Sequence, residues 1–124
     1  MNNPTNLKYS KDHEWVLLNG DGTATVGITD YAQDSLGDIV YVELPQLGSV
    51  SAGAQVSSVE SVKAVSDILS PVAGEITEVN SELESSPEKL NADPYGTWIF
   101  KLAGVTAGEL MDAAAYEQFL AQEA

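Results

Sequence analysis

One stretch of ten residues decides the fold of this chain: residues 59–68 read VESVKAVSDI. Branched apolar residues recur there, and just before it, at every third position: Val56, Val59, Val62, Val65 and Ile68. Three residues turn an α-helix by only about 300°, so this set walks around a helix instead of forming one face. The strict alternation of a single half-buried strand is also missing. The pattern therefore favours two short strands joined by a turn.

A β-hairpin with its turn at Lys63 and Ala64 accounts for the spacing. In that register like residues face each other across the strands, as expected of cross-strand partners. The expected pairs are Val62 with Val65, Ser61 with Ser66, Glu60 with Asp67, and Val59 with Ile68. The pairing of the two acids is unfavourable, because like charges directly opposite each other destabilise a sheet. A local violation of this kind more often marks function than structure.

The sequence before this hairpin predicts more short strands and one helix. Residues 13–18 and 23–28 form a predicted hairpin around the turn Asn-Gly-Asp-Gly at 19–22. A short helix is expected to begin at Thr29 and Asp30 and to end at Gly37. A strand over residues 38–44 follows.

After it, residues 50–79 are expected to be β throughout, residues 80–97 form a polar loop, and residues 98–102 form the last strand. Thr106, with Glu109 three residues later, has the spacing of a capping box for a carboxyl-terminal helix. The apolar stripe of that helix is Leu110, Met111, Ala114, Ala115, Tyr116, Phe119 and Leu120. These elements predict one domain, residues 1–124, as a mostly-β sandwich or small barrel with helices at its edges.

Composition narrows the functions that the chain can have. Nineteen acids against five lysines, with no arginine, give a net charge of −14. This field repels nucleic acid and anionic membrane surfaces and attracts partners with basic faces. The chain has no cysteine and a single histidine, His13, which excludes thiol catalysis and His-rich metal clusters. With neither a membrane span nor a secretory signal in the sequence, a cytoplasmic location is expected.

Lys63 is the residue that calls for a functional explanation. It stands alone at the predicted hairpin tip, between small apolar residues and then two acids, Glu60 and Asp67. From the residues alone, an ordinary surface lysine is the simpler interpretation. An acyl acceptor is the functional one, because a modifying enzyme must engulf the amine and the acids can dock it on a basic face.

The same residues resemble the lipoyl-lysine region of the glycine cleavage system H protein family, and the resemblance extends over about residues 7–120. Its core is residues 59–68 with the SPVAGEI run at 70–76. Leu7-Lys8-Tyr9, His13-Glu14-Trp15, Val26-Gly27-Ile28-Thr29, Leu36-Gly37-Asp38, Asn91 and Trp98 match in order. The turns after Pro45 and around Gly96 look one residue shorter than the family pattern.

The resemblance implies a barrel-sandwich hybrid of two antiparallel sheets, and a non-catalytic carrier with lipoate attached by an amide to Lys63. The implied partners are the decarboxylase (P protein), the aminomethyltransferase (T protein), dihydrolipoamide dehydrogenase (L protein) and the lipoate-attaching enzymes. The carrier takes the aminomethyl group of glycine from the first to the second and its dithiol to the third. Glu60 and Asp67 are expected to flank recognition of Lys63. Glu14, with Asp67, matches positions associated with holding the loaded arm in a surface cleft, and a monomer is expected.

Other interpretations stay open at this point. A lipoyl domain of a 2-oxo acid dehydrogenase is usually shorter and lacks the flanking helix. A biotin carrier is expected to have methionine on both sides of the lysine, where Val62 and Ala64 stand. The remaining alternatives are an H-like lipoate-binding protein of another pathway, such as sulfur oxidation or lipoate relay, an unmodified interaction module, and a small enzyme, which the lack of cysteine, arginine and a second histidine disfavours. His13, Trp15 and Trp98 are interpreted as structural.

Overall fold

Nine strands form two antiparallel sheets in the computed structural model, which describes residues 3–107 and 110–123. Their bounds are β1 (Lys8–Tyr9), β2 (Glu14–Leu18), β3 (Ala24–Ile28), β4 (Ile39–Glu43), β5 (Gly48–Val50), β6 (Gln55–Ser61), β7 (Val65–Leu69), β8 (Val72–Val79) and β9 (Phe100–Ala107). Six strands make one sheet in the order β1-β2-β3-β9-β8-β5, and three make the other in the order β4-β6-β7.

One hydrophobic core joins the two sheets. Fully buried side chains from the larger sheet, such as Val26 and Phe100, cluster with Ile39, Val59 and Ile68 from the smaller one. The predicted sandwich of two antiparallel sheets is therefore confirmed. The described strands do not close into a barrel, since β4 and β7 end the smaller sheet and β1 and β5 end the larger.

The helices lie at the edges, as the sequence predicts. Helix α1 (Asp30–Leu36) begins after Thr29, whose hydroxyl accepts a hydrogen bond from the amide of Ala32, and ends at Gly37 with φ of 80°. A 3₁₀ turn (Ser81–Glu84) and helix α2 (Lys89–Ala92) follow β8, and helix α3 (Ala113–Glu123) ends the described chain. None of the described helices has the length and apolar character needed to cross a membrane.

The segment predicted to be a polar loop, residues 80–97, is more ordered than its composition suggests. It contains the 3₁₀ turn and α2, because Leu83 and Leu90 are fully buried against the core. Trp15 also fastens this segment, since its indole nitrogen donates a hydrogen bond to the carbonyl of Pro94 at 2.9 Å. Two isolated leucines in a polar run leave too weak a periodicity to reveal the turns.

The carboxyl-terminal helix begins later than predicted. Thr106 lies in β9, and Gly108 and Glu109 of the expected capping box lie outside the described residues. The Asp112 carboxylate instead accepts a hydrogen bond from the amide of Ala115 at 2.8 Å. Two residues of the predicted apolar stripe, Leu110 and Met111, precede the helix, and two others, Ala114 and Ala115, are exposed. The packed face of the helix consists of the remaining three and of one residue outside the predicted stripe: Tyr116, Phe119, Leu120 and Ala113.

The predicted register of the central hairpin is wrong, because its turn lies one residue earlier in the chain than predicted. Ser61 and Ala64 close the turn, so that Val62 and Lys63 are its tip. As a result Glu60 lies opposite Val65, and Asp67 lies opposite Ser58. The two acids are therefore not paired with each other, and the unfavourable contact expected from the sequence is absent from this register.

Gly27 gives a test of how the sheet packs. Gly27 and Trp15 are direct cross-strand partners, and a Cβ built on Gly27 would lie 2.6 Å from atoms of the indole ring. We expect Gly27→Ala to lower the free energy of unfolding by about 2 kcal/mol, since the methyl group displaces the ring. In a Trp15→Phe background the same substitution should cost less. Urea unfolding of the four proteins measures both penalties, and equal penalties would show that the ring is not the obstacle.

Candidate functional site

The hydroxyl of Ser61 organises the turn that carries Lys63. Its oxygen accepts hydrogen bonds from the amides of Ala64 at 3.0 Å and Lys63 at 3.3 Å, and it lies 3.2 Å from the carbonyl of Ala64, to which it donates. The backbone adds a bond from the Ser61 amide to the same carbonyl at 2.8 Å. A two-residue tip held in this way has little freedom, while its side chains remain exposed.

A second set of contacts fixes the tip against the rest of the domain. The amide of Val62 donates to the carbonyl of Asp38 at 3.1 Å, and Ile39 pairs with Ser61. Asn91 fastens that neighbouring segment, because its amide nitrogen donates to the carbonyl of Gly37 and its oxygen accepts from the amide of Ile39. The tip is thus tied to α1, β4 and α2 at once.

The side chain of Lys63 passes over Gly37 at the end of α1. A Cβ on Gly37 would lie 3.4 Å from Lys63 Cε and 3.9 Å from its Nζ. Lys63 is exposed, and among the described residues its amine forms neither a hydrogen bond nor an ion pair. The amine is therefore available to a reagent that approaches the hairpin tip.

A groove of about 380 Å³ lies beside this lysine. It is lined by Asp12, His13, Tyr31, Ala32, Ser35, Leu36 and Ser66. Leu36 adjoins Gly37, over which Lys63 passes, and Ser66 is three residues beyond Lys63 on β7. The groove therefore begins close to the candidate attachment site.

His13 forms part of the wall of this groove and is held there by contacts with the carboxyl-terminal helix and with α1. Its backbone has a φ of 67°, and its Nδ1 lies 2.8 Å from the hydroxyl of Tyr116, which also contacts the hydroxyl of Thr29 at 2.9 Å. Its ring lies 4.6 Å from that of Tyr31, centroid to centroid. These contacts explain His13 as a structural residue that also shapes the groove.

Glu14 is fully buried, although the resemblance places it at a surface cleft. One carboxylate oxygen accepts from the hydroxyl of Ser10 at 2.5 Å, and the other lies 3.4 Å from the amide of Leu69. Burial raises the pKa of this carboxyl to about 7, and the nearby charge of Asp12 adds to the effect while the hydrogen bonds oppose it. Glu14 is thus poised to change its protonation near neutrality.

The remaining site residues lie on the hairpin itself. Glu60 and Asp67 are both exposed, on the outer side of β6 and β7. The Asp67 carboxylate accepts a hydrogen bond from the side chain of Gln55 at 3.0 Å. The buried Glu14 contacts the hairpin through the backbone amide of Leu69, two residues beyond Asp67. None of Glu14, Glu60 and Asp67 is among the residues that line the groove.

The sequence and structure of the chain match one family throughout. Residues 7–123 match the model of the glycine cleavage H-protein family. The chain belongs to this family. The glycine cleavage system H protein of Burkholderia vietnamiensis is 56% identical over 123 residues, which cover 96% of this chain and 98% of that protein. Glycine cleavage system H protein 2 of Pseudomonas syringae is 54% identical over 121 residues, 94% of each chain.

A solved structure agrees with this assignment. The crystal structure of a glycine cleavage system H protein from Mycobacterium marinum superposes with a TM-score of 0.86 at 38% identity, covering 97% of this chain and 98% of that one. The resemblance drawn from residues 59–76 and their surroundings is therefore confirmed. Members of the glycine cleavage H-protein family carry lipoate, and membership gives this chain a carrier role in the glycine cleavage system.

Sequence reasoning missed two contributors to the site. Asn91 matches the family pattern, but nothing in its polar neighbourhood predicts that it fastens Gly37 and Ile39. Tyr31 falls within the helix predicted between Thr29 and Gly37, where nothing marks it for a role, whereas in the structure it lines the groove against His13. In α1 the side chains of residues 30–33 and 36 are half-buried, but a seven-residue helix is too short for its sequence to define that face.

The raised pKa of Glu14 predicts how stability depends on pH. The folded chain binds the proton of Glu14 more tightly than the unfolded chain, whose carboxyl has a pKa near 4.5. Protonation of Glu14 therefore stabilises the folded state, and this contribution to the free energy of unfolding is fully present below pH 4.5. It is lost as the pH rises through about 7. Between pH 4.5 and pH 8, the free energy of unfolding of Glu14→Gln, measured in urea, should therefore rise by about 3 kcal/mol relative to that of the natural chain. A difference that does not change with pH would contradict the burial of an ionisable carboxyl here.

Proposed function

We propose that Lys63 is the residue that carries lipoate, joined by an amide to Nζ. The observation that supports this most directly is the position of Lys63 at the tip of a turn that is rigid in its backbone and open at its side chain. A modifying enzyme can then receive the amine without unfolding the carrier. The residues present fit the group, since the amine has no partner to give up among the described residues.

The groove beside Lys63 is the place where the chain can shelter the arm between partners. Lysine and lipoate together make an arm of about ten single bonds, with a reach on the order of 14 Å. Among the residues that line it, Leu36 adjoins Gly37, over which Lys63 passes, so the groove lies within the reach of the arm. The aromatic ring of Tyr31 and the side chain of Leu36 give the groove apolar walls, and Asp12 gives it a negative charge.

A lipoyl group bound to Lys63 would supply a disulfide that can accept the aminomethyl group of glycine together with the two electrons left by its decarboxylation, and it would remain on Lys63 as a dithiol after that group has been passed on. The chain contributes presentation of Lys63, a groove in which the arm can lie, and recognition by its partners. We propose that it visits the decarboxylase, the aminomethyltransferase and dihydrolipoamide dehydrogenase in that order, without catalysing a step itself. Tethering raises the concentration of the arm at each docked site.

We propose that Glu14 and Asp67 act on a cationic group held near the groove. An ammonium held in the groove would lower the pKa of the Glu14 carboxyl, because the opposite charge stabilises the ionised form. Since Glu14 is buried outside the groove lining, its carboxylate would act on the cation through space and not by direct contact. Asp67 is exposed on β7 and carries its charge two residues from the amide that contacts Glu14.

The test of the attachment site is the intact mass of protein produced in a host with active lipoate attachment. We expect the mass of one lipoyl group on the natural chain, mapped by peptide analysis to Lys63, and no gain in Lys63→Arg. Lys11→Arg changes another exposed lysine and is the matched control, which should be modified fully.

Two results would count against the proposal. Modification that persists in Lys63→Arg would move the attachment site elsewhere, and an unmodified natural chain would leave only an interaction module. The lipoylated chain should also support glycine decarboxylation with purified partner enzymes. If it is lipoylated but inactive there, a lipoate-dependent pathway other than glycine cleavage becomes the better assignment.

A further inference from the structure

Exposed apolar side chains are concentrated around Lys63. Among the described residues, six large apolar side chains are exposed, and four of them lie here: Val40, Tyr41, Val62 and Val65. Each of the four exposes more than half of its surface, from 51% for Val40 to 71% for Val62. Grouped apolar exposure of this kind marks a surface that meets another molecule, whereas scattered exposure does not.

The strand register places these side chains on one surface with the acids. Tyr41 pairs with Glu60, and Glu60 pairs with Val65, so the three form a row across the smaller sheet. The next row on the same face of the sheet is Glu43, Ser58 and Asp67. We name this surface the tip face, comprising Val40, Tyr41, Glu43, Glu60, Val62, Val65 and Asp67. Its apolar part adjoins Lys63, and its acids lie among and beyond the apolar residues.

A β-bulge in β4 creates the apolar part of the tip face. Ile39 pairs with Ser61 and Tyr41 pairs with Glu60, so Val40 is an extra residue on β4. As a consequence both Val40 and Tyr41 face outward, between the buried Ile39 and Val42. Regular alternation would have turned one of the two inward. Bulges at a sheet edge commonly re-aim side chains toward a functional site.

We infer that the tip face is the docking surface for the enzyme that forms the amide on Lys63, and that this enzyme offers an apolar depression with a rim of lysine or arginine. The inference rests on the proposed function of Lys63. In the reaction the amine attacks the carbonyl of a lipoyl group activated as an acyl adenylate. The N–C bond forms, the bond from carbon to the phosphate oxygen breaks, AMP leaves, and the amine proton passes to a base.

Reach separates this enzyme from the other partners. The lysine amine lies only about 6 Å from its own Cα, so an enzyme that acts on the bare amine must contact the residues beside it. A partner that meets the finished arm can dock about 14 Å away. Tyr41, Val62 and Val65 border Lys63 through the register of the hairpin and therefore lie within the footprint that the first enzyme requires.

Charge favours a basic partner over a second copy of the chain. Two tip faces in contact would bring Glu43, Glu60 and Asp67 of each copy together, in a protein with a net charge of −14. Like charges across an interface oppose association, whereas a basic rim is attracted and oriented by the same acids. The tip face is thus complementary to an apolar surface with positive edges.

The experiment measures lipoylation of the purified, unmodified full-length chain by a purified lipoate-protein ligase with lipoate and ATP, followed by intact mass. We expect Tyr41→Ser to raise the KM for the carrier about tenfold with little change in kcat, because docking is lost but the lysine is intact. Tyr41→Phe should behave as the natural chain. Leu47→Ser removes an apolar side chain that is 65% exposed outside the tip face, and is the matched control.

The fully lipoylated Tyr41→Ser protein, obtained by long incubation, should then support glycine decarboxylation with the natural KM. An unchanged ligase KM in Tyr41→Ser, or an equal rise in Leu47→Ser, would overturn the inference. If the KM for the lipoylated Tyr41→Ser carrier rises equally in the decarboxylation assay, the tip face serves the enzymes of the glycine cleavage system, and the inference is also overturned. If the natural chain takes up no lipoate, the proposed function itself fails, which is distinct from a failure of Tyr41→Ser alone. Thermal unfolding confirms that each variant is folded.

Discussion

The presentation of Lys63 depends on strand β6 being hydrogen-bonded on both sides, to β4 and to β7. A free hairpin of this length would be marginally stable in water. Pairing with β4 converts it into the centre of a sheet, and the bond from Val62 to the carbonyl of Asp38 extends this support to the tip itself. Asn91 then holds the segment containing Asp38 in place through Gly37 and Ile39. An exposed lysine is common, but an exposed lysine on a backbone fixed this firmly is a feature suited to modification.

The net charge of the chain and the buried Glu14 have different roles. The excess of acids over lysines gives a net charge of −14 and a negative field that repels nucleic acid and attracts basic surfaces. Glu14 contributes little to that field, because it is buried and its pKa is raised to about 7. Its raised pKa brings the change in its protonation close to neutrality, where a nearby charge has the greatest effect on it. The hairpin and the six-stranded sheet meet at this carboxylate through the amide of Leu69.

Local sequence signals predicted those elements that depend on local physics. The Asn-Gly-Asp-Gly turn, the Thr29 cap and the stop at Gly37 each act within a few residues, and all are present. The central hairpin was recognised from its period of three, but its register was not. The choice between the two registers depends on the hydroxyl of Ser61 and on the pairing of Ile39 with Ser61, and the second is a long-range contact. The turns within residues 80–97 and the late start of α3 likewise depend on burial against distant strands. The family resemblance is what favours Lys63 as an attachment site over an ordinary surface lysine. Only the structure reveals the groove, the burial of Glu14 and the outward orientation of Tyr41.

The two chain ends form a hydrophobic unit of their own, and this affects the groove. Leu7, Tyr9, Trp15, Ala113 and Tyr116 cluster separately from the main core, and the rings of Tyr9 and Tyr116 stack at 4.6 Å. A unit with its own small core can open by itself, at a lower free energy than global unfolding. Because His13 is held by Tyr116, such an opening would remove one wall of the groove while leaving the hairpin and Lys63 intact. Fraying of the last helix would therefore change the shape of the groove without moving Lys63, although Tyr116 and Lys63 are distant in sequence.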